Sequence, residues 1–121
     1  YRKDQAQFLQ TELAGPEFTA AARKVLIHHI PIYGNAVAKF NPCKELWQPH
    51  LAAAGFDVSL NGHLHRYELI EKGASENNFP VVIGGGYKEE NATVMILKKT
   101  GERLNLRVVH AKGNTLLNRD L

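Results

Sequence analysis

The apolar positions of this chain fall into short runs of strand length, and a helical pattern stands before and after the first of them. Near the start, Ala6, Leu9 and Leu13 repeat at helical spacing, with Gln5, Gln7, Gln10 and Glu12 on the other side. Asp4 and Gln7 fit a capping box, and Gly15-Pro16 supplies a stop. Lys24 to His28 comes next as a strand, whose Val25-Leu26-Ile27 run is expected to be buried on both faces, as in a parallel strand covered by other layers. Pro31 to Pro42 shows no period, and Tyr33-Gly34-Asn35 marks a turn. Asn41-Pro42 reads as an N-cap followed by proline at the first helical position. Pro49 is expected to divide the second helical segment into a turn over residues 43–47 and a helix over 49–54, ended by Gly55.

Phe56, Val58 and Leu60 alternate with polar residues as a strand does, and Arg66 to Glu71 and Phe79 to Ile83 give two more strands around a polar turn over 73–78. Thr93 to Leu97, a turn over 98–102, and the alternating Leu104, Leu106 and Val108 predict a hairpin covered on one face. His110 continues the apolar phase and is read as structural, and the residues after Gly113-Asn114 are expected to pair briefly or fray. The strand and helix pattern predicts an α/β (α+β) chain. At 121 residues it suits one domain, spanning 1–121, and neither repeats nor low-complexity segments interrupt it.

A hydrophobic fraction of 44% and a charged fraction of 22% are ordinary for a soluble globular protein. No apolar run reaches membrane-spanning length, so no membrane partner is expected. The net charge of +3 is mildly basic, but Lys98, Lys99, Arg103, Arg107, Lys112 and Arg119 are spread out, where a nucleic-acid face needs a denser cluster. A basic nucleic-acid-binding domain is therefore the least favoured reading. The single Cys43 excludes an internal disulfide, and Asn91-Ala92-Thr93 fits a short glycosylation sequon. The chain opens on Tyr1 without methionine, as expected of a processed chain or a piece of a longer protein.

Candidate chemistry gathers at the ends of two of the predicted strands. Asn61-Gly62-His63-Leu64-His65 follows the Phe56–Leu60 strand, and an extended backbone there would aim His63 and His65 to one face. Two neutral imidazoles at that spacing can hold one metal, or one metal each of an adjacent pair. His28 and His29 close the Val25 strand and, as neighbours, point to opposite sides, so one of them is expected to reach a metal. In open α/β sheets ligands gather outside the carboxyl ends of strands, where both histidine segments lie. Gly84-Gly85-Gly86 lacks the lysine and Ser/Thr of a phosphate loop, and is read as backbone packing or close approach.

The motifs His29-Ile30-Pro31, Trp47-Gln48-Pro49-His50-Leu51 and Gly62-His63-Leu64-His65-Arg66-Tyr67-Glu68, in that order, resemble the C-terminal half of the calcineurin-like metallophosphoesterases. Within them the pattern is similar to the purple acid phosphatase-like branch, with its His-x-Pro, Trp-x-Pro-Leu and Gly-His-x-His-x-Tyr-Glu. His50 intrudes before the leucine of the middle motif. The resemblance covers most of the chain. It implies the C-terminal part of a four-layer αββα sandwich and two metal ions (zinc, manganese or iron), with His29 and His63 on one metal and His65 on the other. His28 is left to packing, hydrogen bonding or support of the ligands. A phosphate ester is the implied substrate, and the branch tilts weakly towards an exported or periplasmic protein.

The family's remaining ligands come from motifs of its N-terminal half: Asp-x-His, Gly-Asp-x-x-Asp with the bridging aspartate, and Gly-Asn-His-Glu/Asp. None occurs here; Gly34-Asn35 and Gly113-Asn114 are not followed by histidine. The resemblance thus implies half a site, inactive by itself, from a parent phosphoesterase whose missing N-terminal half is the first expected partner. The alternative is a non-catalytic metal-binding or interaction module that keeps the fold remnant. Val25, Ile27, Val81, Ile83, Val94 and Ile96 belong to runs too apolar to face water, so the isolated fragment is expected to form homodimers through an uncovered sheet face or edge.

Overall fold

A computed structural model describes residues 1–34 and 41–121. Two helices, α1 (Arg2–Ala14) and α2 (Pro16–Ala20), precede strand β1 (Val25–Ile27). Helix α3 (Pro42–Ala53) leads into β2 (Val58–Asn61), β3 (Glu68–Ile70) and β4 (Val81–Ile83), and three longer strands complete the chain: β5 (Thr93–Thr100), β6 (Arg103–His110) and β7 (Thr115–Asp120). The first four strands form one sheet in the order β1-β2-β4-β3 and the last three form a second, β5-β6-β7. β1, β2 and β4 are parallel, β3 is antiparallel to β4, and the second sheet is antiparallel throughout. The fold is mixed α/β with two sheets.

Alternation within the strands produces two cores. Val81 and Ile83 face the helices and pack with Ile32, Tyr33, Leu51, Phe56, Ile70 and Phe79, supported by Leu9, Leu13, Phe18 and Trp47. Val58, Leu60 and Val82 face the second sheet and meet Leu106 and Val108, flanked by Met95, Leu97 and Leu117. The described residues therefore stack as helices, sheet, sheet. Of the four expected layers, the outer helical one is not seen among them, and Val94 and Ile96 on the outer side of β5 are 59% and 38% exposed.

Several boundaries differ from expectation. Helix α1 begins at Arg2, with no side-chain cap; Asp4 instead pairs with the terminal amine at 2.8 Å. Gly15-Pro16 does end α1, but Pro16 then opens α2, whose Phe18 ring meets Phe56 edge-on at 5.5 Å. Pro49 does not divide α3. Pro49 and Glu45, whose carbonyl loses its helical donor, are both exposed, so water can serve that carbonyl while Leu51 and Trp47 hold the other side. The N-cap forms as expected: Asn41 Oδ1 accepts from the amides of Cys43 and Lys44, and Gly55 takes the left-handed conformation that closes the helix. The turn at Tyr33-Gly34-Asn35 lies partly outside the described residues, as does half of the loop over 31–42.

β1 is not buried on both faces. It is an edge strand with Ile27 73% exposed, because among the described residues only β2 pairs with it. Val81 and Ile83, in contrast, find full cover within the chain. The C-terminal strand does not fray either: β7 pairs along β6 past a bulge at Val108/Val109, and its Arg119 makes a bidentate bond to Glu71, just past β3 of the first sheet, at 2.9 and 3.1 Å. The expected hairpin turn tightens to Gly101-Glu102, with Gly101 at φ 60°.

One ion pair fastens the non-site end of the sandwich. Arg23 Nη1 donates to Asp57 Oδ1 at 2.8 Å and to the Leu121 carbonyl oxygen at 3.1 Å, and its Nε donates to the Glu102 carbonyl at 2.8 Å. The second Asp57 oxygen accepts from the Lys24 amide at 2.7 Å. Asp57→Ala strands a half-buried guanidinium and an amide, and is expected to cost about 1–3 kcal/mol in urea unfolding. A loss below about 0.5 kcal/mol would class the pair with surface bridges and contradict its role as a fastener.

Candidate functional site

The parallel pairing of β1 and β2 brings two of the three candidate histidines together. Ile27 lies opposite Leu60, and the ladder runs on past both strands: the His28 amide donates to the Leu60 carbonyl at 3.2 Å and the Gly62 amide to the His29 carbonyl at 3.0 Å. His29 thus sits beside Gly62, so closely that a Cβ added there would lie 3.3 Å from His29 Nδ1. The next side chain is His63, whose ring meets the His29 ring edge-to-face with centroids 5.3 Å apart.

The expected extended backbone at His63 and His65 is not what forms. Both adopt left-handed φ values, 71° and 55°, on a bend that begins where β2 ends. Strand alternation therefore does not set their directions, and they part company. His65 packs edge-to-face on Tyr87 at 5.5 Å, beside Gly86, whose added Cβ would come within 2.9 Å of His65 Cβ. A cleft of about 250 Å³ opens there, lined by His65, Gly86, Tyr87, Lys88, Glu90 and Asn91. Among the described residues, no three His, Cys, Asp or Glu side chains converge as a metal cage.

The glycine run acts by close approach, as expected. A Cβ at Gly85 would fall 1.6 Å from the Asn91 carbonyl oxygen, and the Gly85 amide donates to Thr93 Oγ1 at 2.7 Å. That packing fixes the turn that presents Gly86 and Tyr87 to His65. The other histidines have structural partners. His50 meets Gln10 of α1 at 3.0 Å. His110 Nδ1 accepts from the Lys112 amide, so its Nε2 carries the proton and donates to the Glu90 carbonyl at 3.0 Å.

Beneath the pair lies a polar network that the alternation of β2 hides. Ser59 and Asn61 occupy the helix-facing side of this strand, yet both are buried. Ser59 Oγ donates to Asn61 Oδ1 at 2.8 Å, and Asn61 Nδ2 donates to the His28 carbonyl at 2.9 Å. His28 Nδ1 donates to the Ile30 carbonyl at 2.9 Å, and its Nε2 lies 3.3 Å from Ser59 Oγ. The His28 ring also meets Trp47 edge-on at 6.3 Å. This bears out packing and hydrogen bonding for His28. The only sequence signal for the network was a pair of short polar residues on a central strand, and that pattern is shared with half-exposed strands. Tyr87 was equally silent, marked only by its place after three glycines.

Burial lowers the His28 pKa below the ordinary imidazole value of 6.5, against the smaller opposing pull of its bond to Ile30. The folded protein thus favours the neutral ring, whereas the unfolded chain takes up a proton near pH 6.5. Stability from this residue is complete above that pH and is lost as the pH falls towards the lowered folded value. The melting temperature should drop between pH 7.5 and 5.5, and by less in His28→Gln. An equal drop in both proteins would remove His28 from the cause.

No family model matches this chain, and neither does any curated protein.

Proposed function

We propose that this chain supplies the histidine half of a two-metal phosphoesterase site, with His29 and His63 for one metal ion and His65 for the other. The observation that carries the reading is the His29–His63 ring pair, 5.3 Å between centroids at the ends of adjacent parallel strands, with His65 on the same bend. Their donor chemistry fits: neutral imidazole suits zinc, iron or manganese, and a pair of nitrogens leaves coordination positions for ligands from elsewhere. The motifs around His29, Trp47 and His63 point the same way. When bound, the metal ions would supply Lewis acidity towards a phosphate ester and a water of lowered pKa. The chain's own contribution is to hold the imidazoles, His29 against Gly62 and His65 against Tyr87. The bridging carboxylate and the proton donor for the leaving group are assigned to the N-terminal half of a parent protein.

A second reading, a non-catalytic module with one metal, is favoured by a specific observation: His65 packs on Tyr87, away from the His29–His63 pair. Two measurements separate the readings. Metal content by mass spectrometry should fall in His29→Ala, His63→Ala and His65→Ala of the parent protein, and stay unchanged in His50→Ala and His110→Ala. With added Zn²⁺, Mn²⁺ or Fe, the 121-residue chain alone should hydrolyse an aryl phosphate negligibly, and a parent supplying the carboxylates should hydrolyse it readily. Unchanged metal content in His63→Ala and His65→Ala would sink the two-metal assignment. Metal lost only in the His29 and His63 variants, with an inert parent, would favour the binding module.

A further inference from the structure

Asn61 is an amide on an inner strand, 3% exposed and opposite Ile83 of β4 in the ladder. Burying such a group costs free energy unless all its bonds are made, and an apolar side chain would fill the space as well. Its presence calls for something that only an amide does there. Its orientation is fixed, because the His28 carbonyl can only accept and so must face Nδ2, which leaves Oδ1 for the Ser59 hydroxyl.

The His28 carbonyl belongs to the peptide group whose nitrogen is that of His29. The carbonyl on the other side of His29 accepts from the Gly62 amide at 3.0 Å. Both peptide planes flanking the His29 Cα are therefore held from β2, and with them the direction of the His29 Cα–Cβ bond. The Asn61 main-chain carbonyl also accepts from the Gly84 amide at 2.8 Å, which ties in the end of β4. One residue joins the three strand ends whose loops bear His29, His63 with His65, and Tyr87.

We infer that Asn61 is a positioning residue: its side-chain amide, braced by Ser59, aims His29 at His63. The role in metal affinity rests on the metal reading above; the role in aiming the ring does not. Beyond Ser59 of its own strand, the side chain bonds the β1 end, so its loss should disturb the His29–His63 pair and leave His65 on Tyr87.

The test uses the ring carbon–proton resonances of the six histidines together with a Co²⁺ titration. In Asn61→Ala the His29 and His63 signals should move, those of His50 and His110 should stay, and Co²⁺ affinity should fall about 10-fold or more, as for other supporting residues of metal sites. In a His29→Ala background the same change should cost no further affinity. Ser59→Ala, a milder change that frees the amide to rotate, should move the same two signals and serves if Asn61→Ala does not fold. Unmoved His29 and His63 signals in a folded variant would overturn the inference, as would an equal Co²⁺ loss in the His29→Ala background. If the unaltered protein binds no Co²⁺, the metal reading fails and the ring signals alone decide the role of Asn61.

Discussion

Strand β2 is short, and all of its residues, Val58 to Asn61, are buried. It has to satisfy two cores at once, apolar towards the second sheet through Val58 and Leu60, and polar but hydrogen-bonded towards the helices through Ser59 and Asn61. Because its neighbours β1 and β4 run parallel to it, all three chains leave the sheet at the same end. Shifting β2 by one residue would swap its faces, placing Ser59 and Asn61 against Leu106 and Val108. The register of this strand therefore fixes where the histidines emerge.

The bend after β2 places two non-glycine residues in the left-handed region, where an L side chain costs roughly 1–2 kcal/mol. Packing on both sides offsets that cost: the His29 ring over Gly62 on one side, Gly86 and Tyr87 around His65 on the other. Glycines at 62 and 86 are what let these rings come so close. Backbone strain of this kind clusters at ligand sites, and of the three described non-glycine residues that show it, His63, His65 and Glu76, two are the histidines of the Gly-His-x-His motif.

Much of this architecture was legible in the sequence. The N-cap at Asn41, the stop at Gly55, the β6 alternation of Leu104, Leu106 and Val108, and the close approach at Gly85 each arise from local sequence chemistry, and each formed. The features that misled were decided by distant neighbours. Ile27 sits in an apolar run that reads as covered, but nothing in the run says that β1 lies at an edge. Pro49 reads as a breaker, and only the exposure of Glu45 and the packing of Leu51 show why the helix continues. The site divides in the same way. The histidines at the strand ends could be named from spacing, but their divergence could not, because it depends on φ angles set by contacts with Gly86 and Tyr87. Ser59 and Asn61 went unseen because a polar residue on a strand looks the same whether it meets water or a buried carbonyl.

The claim that β2 and β1 together build a metal-binding pair is tested most directly by anomalous diffraction at the zinc edge on crystals soaked in Zn²⁺. The account predicts an anomalous peak bonded to one nitrogen of His29 and one of His63, lost in crystals of His63→Ala. A well-ordered His29–His63 pair with no peak, in crystals where zinc binds elsewhere, would contradict it.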